Sequence, residues 1–372
     1  MIVNVTVMCL ALFLAKFVFN AKSGSITNPA DNRHYIIIMS IVLILQSGLR
    51  NVAVGPDTYQ YYRYFKDTTV TPWSQVWSYI ISYLRYGTGK DAGYYVFEKA
   101  AQIITADYQV YLLLVAVVFF SAFGRFVYKN TDSVYSAMMA FLLYSGLFYT
   151  VFSVSDIRQT IAMAGALVAF EYIKSRKLLP FLITMSMSSI IHKSSLVFVP
   201  FYFIANVRST KAIYLLLGLV FPLILVFRLP LMLFLARIGG YQSYGLLNQS
   251  PPLVFIVALM SMILLAWWRM EIVLQENDNA HLYYNALALA ALLSPLVLVN
   301  GATIRIVDYF SICLPVLVPL VLRSFRFKSV GFEQTVNVIA IILLIALTIK
   351  AGWGTQYKFF WQHMQLGPNY YR

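Results

Sequence analysis

Four short stretches of this chain carry charge in otherwise apolar surroundings. They are Arg50-Asn-Val-Ala-Val-Gly-Pro-Asp57-Thr-Tyr59, Asp156-Ile-Arg158-Gln159, His192-Lys193-Ser-Ser and Arg305-Ile-Val-Asp308. Guanidinium groups grip phosphate oxygens through paired N–H donors, and a histidine exchanges protons near neutral pH. Together they suit binding an anionic substrate and deprotonating a hydroxyl. Each stretch also has a plainer account. Arg50 can snorkel to the membrane interface ahead of a solvated Gly-Pro turn, and Asp156 can cap a helix that begins at Arg158. His192-Lys193 can be a hairpin turn, and Arg305 can pair with Asp308 three residues on. His192-Lys193 is the sharpest of the four because it interrupts an apolar run from about 178 to 206, where unpartnered charge is costly.

The elements that must position these residues are membrane helices. The 372 residues are 60% hydrophobic and 11% charged, with a mean hydropathy of +0.73, which excludes an ordinary soluble domain. Apolar periodicity predicts helices near 2–19, 35–49, 109–124, 133–152, 157–174, 178–191, 194–206, 211–227, 252–268, 281–299, 303–322 and 334–350. The expected fold class is all-α, a polytopic membrane protein of ten to twelve crossings forming a single domain over 1–372. The first run lacks a basic start and a small-residue cleavage site, so it is expected to remain as a helix. The runs at 178–191 and 194–206 are too short for comfortable spans and are expected to meet inside the bilayer.

Basic residues mark the cytoplasmic connections: Lys22 and Arg33, Arg125 and Lys129, Lys174 with Arg176 and Lys177, Arg208 and Lys211, and Arg323 with Arg326 and Lys328. The four charged stretches then fall together on the opposite face. So does the long 50–108 loop, whose Trp73, Trp77, Tyr79, Tyr83 and Tyr86 predict an interfacial helix covering the site. Much of the net charge of +14 is this topology signal, and no nucleic-acid module is present, so no nucleic acid is expected as a partner. Cys9 and Cys313 fall in separate predicted spans, which supports neither a disulfide nor a metal site. No Walker loop, zinc-binding His pair or nucleophile elbow is present, so no cofactor and no metal is expected.

The order of the motifs resembles the EpsG-like branch of the Wzy-type polysaccharide polymerases. The matching residues are Arg50 with Gly55-x-Asp57-Thr58-x-x-Tyr61, then Ala92-Gly93-Tyr94-Tyr95, then Ser153-x-Ser155-x-x-Arg158-Gln159-x-x-Ala162. His192-x-Ser194 leading to Pro200-Phe-Tyr202 follows, and Arg305 ahead of Tyr309 completes the set. Two departures are Pro56, where a smaller residue is commoner, and Asp91-Ala92 in place of an acidic-Gly pair. The resemblance implies a helical bundle of the GT-C kind in the bacterial inner membrane, with a periplasmic site under the 50–108 loop. It implies transfer of a growing glycan from undecaprenyl diphosphate to the sugar of a new lipid-linked repeat. Arg50, Arg158 and Arg305, with Lys193 as an auxiliary, would hold the diphosphate. His192 would be the base, with Asp57 as the alternative, and Tyr59, Tyr62, Gln159 and Asp308 would position substrate. Implied partners are the undecaprenyl-diphosphate-linked oligosaccharide, membrane lipids and a chain-length regulator. An O-antigen ligase and a flippase of lipid-linked sugars are the competing readings.

Overall fold

The structure is a computed structural model that describes residues 2–21, 28–55, 57–86, 91–239, 250–325, 330–352 and 356–364. Lys22, Pro56, Arg326 and Lys328, on which parts of the expected topology and turn chemistry rested, lie outside the described residues. The chain is all-α, and its apolar helices make it a polytopic membrane protein. By length and composition, three helices among the described residues can cross a membrane: Tyr108–Asn130, Ala280–Val297 and Gly331–Ala351. Three further pairs, bent by 84°, 70° and 59°, bring the spans to six if each pair is one. The expected ten to twelve crossings would need the shorter apolar helices as well.

The chain divides into two compact units, the first comprising Met1–Val168, Ser186–Lys193 and Gln334–Arg372. It opens with α1 (Ile2–Phe13) and α2 (Pro29–Gly48), the latter entered through Asn28, whose side chain accepts from the Ala30 N–H, and Pro29. The 50–108 loop then folds into three helices, α3 (Thr58–Val70), α4 (Trp73–Tyr86) and α5 (Ala92–Ile104). Along α4 only Val76 is buried, and Trp73, Trp77, Ile81 and Leu84 are exposed along one side at helical spacing. That is the pattern of a helix lying in a membrane interface. The long α6 (Tyr108–Asn130) starts at Asp107, whose carboxylate accepts from the N–H groups of Gln109 and Val110, and packs along α2.

After α7 (Val134–Leu147) the expected 133–152 helix is interrupted. Residues Thr150–Ser155 form a π-helical turn before α8 (Ile157–Lys174) begins at the positions expected for it. One extra residue per turn re-aims the chain, and such turns collect at functional sites. Here it is pinned from both sides. Ser47 Oγ donates to the Ser153 carbonyl at 2.9 Å, and Thr58 Oγ1 donates to the Val154 carbonyl at 3.1 Å. The start of α8 is thereby tied to the end of α2 and the start of α3.

The second unit comprises Ala169–Met185 and Ser194–Glu333. After α9 (Leu178–Ile191) the apolar run breaks at His192. A 3₁₀ turn over Lys193–Phe198 and a short α10 (Phe201–Ala205) replace the expected 194–206 helix. Then come α11 (Thr210–Val226), α12 (Arg228–Gly239), α13 (Leu253–Trp268), α14 (Met270–Glu276) and the buried α15 (Ala280–Val297). The expected 303–322 helix is two, α16 (Ile304–Ser311) and α17 (Leu314–Ser324), because Pro315 ends the first and opens the second. The final helix, α18 (Val330–Ala351), belongs mostly to the first unit.

Candidate functional site

The centre of the site is a residue to which sequence reasoning gave no role. Asp91 precedes α5 with a backbone φ of 53°, a left-handed conformation, and its side chain is fully buried. A non-glycine residue held there stores strain that the surrounding contacts must offset, a pattern that gathers at functional sites. Its Oδ2 accepts from Arg158 Nη1 at 3.0 Å and lies 3.3 Å from His192 Nδ1. Its Oδ1 accepts from the backbone N–H of Lys193 at 3.2 Å. Burial pushes the Asp91 carboxyl up, but the hydrogen bond and charge of His192, the Arg158 guanidinium and the Lys193 N–H together hold it below its ordinary value. Asp91 is therefore a carboxylate, and a carboxylate only accepts hydrogen bonds.

That fixes the tautomer of His192. Nδ1 must carry the proton that faces Asp91, which leaves the Nε2 lone pair free in the neutral ring. Nε2 is buried and has no hydrogen-bond partner among the described residues. An oriented imidazole with an unengaged nitrogen can accept a proton from a substrate hydroxyl.

Arg158 sits on the first turn of α8, its guanidinium carbon 5.4, 5.9 and 5.5 Å from the ring centres of Tyr61, Tyr64 and Tyr94. The rings come from α3 and α5, so the loop helices build the wall that holds this cation. The Lys193 ammonium lies 4.9 Å from the centre of the Tyr83 ring of α4.

Close approach of α5 to the end of α9 makes the Asp91–His192 contact possible. Gly93 is the contact point, where a Cβ would lie 3.0 Å from the Ile190 carbonyl carbon. Gly93→Ala is expected to destabilise the protein by about 1–3 kcal/mol through overpacking. It should also widen the Asp91–His192 gap, so activity falls more than the melting temperature predicts. Melting and turnover measured on the same preparation check this.

Arg50 is 3% exposed, and its Nη1 turns back onto its own helix end, donating to the Ser47 carbonyl at 2.6 Å. Its Nε has no hydrogen-bond partner, and no carboxylate lies within ion-pair distance of it among the described residues. Residues 357–362 strap over it: Phe359 forms a bridge with Arg50, Asn51 N–H donates to the Lys358 carbonyl at 2.8 Å, and Tyr357 bonds the Gln46 carbonyl. Asp57, the alternative base, is exposed at the start of α3, and the acid beside His192 is Asp91 instead. Tyr59 and Tyr62 pack as a tilted ring pair on α3 with centres 5.9 Å apart, and Gln159 is buried beside Arg158 in sequence. Arg305 and the fully buried Asp308 lie on α16 in the second unit, where neighbouring Tyr309 accepts from Ser194 Oγ at 3.4 Å.

Of the expected residues, the structure thus gathers Arg158, His192 and the Lys193 backbone around one carboxylate. The available sequence signal for that carboxylate was its place directly before Ala92-Gly93-Tyr94-Tyr95, at a helix start. Among the described residues no group of three His, Cys, Asp or Glu side chains could hold a metal ion, and Cys9 and Cys313 are unpaired.

No curated protein and no solved structure matches the chain. The profile of the EpsG family does, from residue 33 to residue 364, a span that contains Arg50, Asp91, Arg158, His192 and Arg305. That family includes Wzy-like polysaccharide polymerases, which gives a role of the polysaccharide-polymerase or glycosyltransferase type. With nearly its whole length matched, this chain belongs to the EpsG family.

Proposed function

We propose that the protein joins lipid-diphosphate-linked oligosaccharide repeats, transferring a growing glycan from undecaprenyl diphosphate to the sugar of a new lipid-linked repeat. The observation that carries this reading is the His192–Asp91 pair, with Nδ1 engaged and Nε2 unengaged. In the transfer, an acceptor hydroxyl gives its proton to His192 Nε2 as its oxygen bonds the anomeric carbon of the donor. The anomeric C–O bond breaks, and its electron pair leaves on undecaprenyl diphosphate. Asp91 stabilises the imidazolium that forms, so the base strengthens where the transition state needs it.

Negative charge on the leaving diphosphate requires cations that are not already neutralised. Arg158 spends its charge on Asp91, whereas Arg50 is a buried guanidinium with an unpartnered Nε. A buried cation without a counter-ion is costly, and an anionic headgroup removes that cost. Arg50 is accordingly the principal diphosphate group in this reading, with Lys193 beside the base. Arg305 and Asp308 enter only through the sequence expectation, which alanine substitution tests. The reading places the site on the periplasmic side of the bacterial inner membrane, with a chain-length regulator as partner.

The test is incubation of purified protein with a defined undecaprenyl-diphosphate-linked repeat, with and without a chelator. A ladder of products that persists with the chelator supports the proposal. Single transfer to a lipid A core identifies a ligase, and movement of unchanged substrate across vesicles identifies a flippase. Either result ends the polymerase reading.

A further inference from the structure

Asp91, Tyr94 and Glu98 recur at three- and four-residue spacing, so they lie on one side of α5. The first two meet Arg158, which pairs with Asp91 at 3.0 Å and lies 5.5 Å from the Tyr94 ring. Glu98 is fully buried, and sequence reasoning assigned it nothing. Its Oε2 accepts from Thr68 Oγ1 at 3.2 Å, and the Tyr94 hydroxyl also hydrogen-bonds the carboxyl, itself accepting from Tyr111 at 3.1 Å. Its Oε1 has no partner among the described residues. Lys99, next in sequence, donates instead to the carbonyls of Thr68 and Thr69 at 3.0 and 3.2 Å.

An ionised carboxylate in that place would keep one bare oxygen in an aromatic wall. Burial pushes the Glu98 pKa up to about 8, against the opposing pulls of Tyr94, Thr68 and Arg158. Besides Tyr94, the titratable side chains around Glu98 are phenols, Tyr95 on its own helix and Tyr108 and Tyr111 on α6. Arg158 is thus the one cation among them. Two acids act on its charge: Asp91, ionised and in direct contact, and Glu98, neutral and further along α5.

We propose that Glu98 is a positioning residue: as a neutral acid it leaves Asp91 without a rival for Arg158, and so keeps the guanidinium on the His192–Asp91 pair. This rests on the reading that the pair is the base of the transfer. Once ionised, Glu98 competes for the guanidinium along the same side of α5, and Asp91 loses the partner that holds it towards His192.

The experiment is polymerisation by the full-length protein in proteoliposomes, from pH 6 to 10, for the wild type, Glu98→Gln and Glu98→Ala. The wild type should lose activity above about pH 8. Glu98→Gln, which mimics the neutral acid, should carry the alkaline limb upward by at least one pH unit. Glu98→Ala leaves the Thr68 and Tyr94 hydroxyls facing a void and should lose activity at every pH, so that Gln rescues what Ala loses. Infrared spectroscopy supplies a readout without turnover, a protonated-carboxyl band present at pH 7, absent from Glu98→Gln and fading near pH 8.

Stability gives the same sign. Glu98 binds its proton more tightly folded than unfolded, so its contribution falls as pH rises from 4.5 to about 8, and Glu98→Gln should flatten that slope. Superimposed pH profiles for wild type and Glu98→Gln, or no protonated band at pH 7, would overturn the positioning role and leave the functional reading standing. An inactive wild type overturns the functional reading and this proposal with it.

Discussion

His192→Ala is expected to lower polymerisation by roughly 10²- to 10⁴-fold, the usual contribution of a positioned general base, and to accumulate single-repeat glycans. The protein should still insert and fold, because His192 contributes one 3.3 Å contact to Asp91 and none from Nε2. Asp91→Asn is expected to cost a comparable amount by a different route. An amide presents an N–H as readily as an oxygen to His192 Nδ1, so the ring can turn its lone pair towards position 91 and its proton towards the substrate. The two substitutions remove one device. Their double variant should therefore be little worse than either alone, whereas independent contributions would multiply. Long-chain polymer from His192→Ala would remove the base from the mechanism.

Arg158→Ala carries the second large effect, and here stability and activity separate. Asp91 is fully buried, and losing its guanidinium leaves a carboxylate held by a histidine and one N–H, a change that typically costs about 3–5 kcal/mol. The melting temperature should fall accordingly. Adding Asp91→Asn should restore much of the stability, since no buried charge is then unpaired, yet restore no activity. Arg158→Lys keeps a charge but loses the flat surface that lies among Tyr61, Tyr64 and Tyr94, and should fall between wild type and Ala. Equal recovery of stability and turnover in the Arg158→Ala/Asp91→Asn variant would show that the pair only holds the fold together.

His192 and Arg158 stood out in the sequence because each is a charge where apolar sequence makes charge expensive. The helix start at Arg158 and the break at His192 were legible for the same reason, as polar punctuation in apolar runs. Asp91 was not, since an acid in a long polar loop costs nothing on paper. Its cost appears only once α5 packs against the end of α9 through Gly93 and takes the carboxylate out of water. Glu98 was hidden likewise: on an amphipathic loop helix it resembles any solvated glutamate, and only the closure of α3 and α6 around it makes it a buried acid.

Composition and charge order alone determined that this is an all-α membrane protein whose histidine and arginine stretches require partners, because the bilayer penalises charge residue by residue. The partners of those charges were decided by tertiary structure. Arg158 meets Asp91 rather than a vacant anion site, Arg50 turns back on its own helix under the C-terminal strap, and His192 is aimed by an acid 101 residues away. Such pairings depend on how the loop helices fold back over the helix ends. Local sequence sets the cost of burying a charge, and only long-range packing chooses what compensates it.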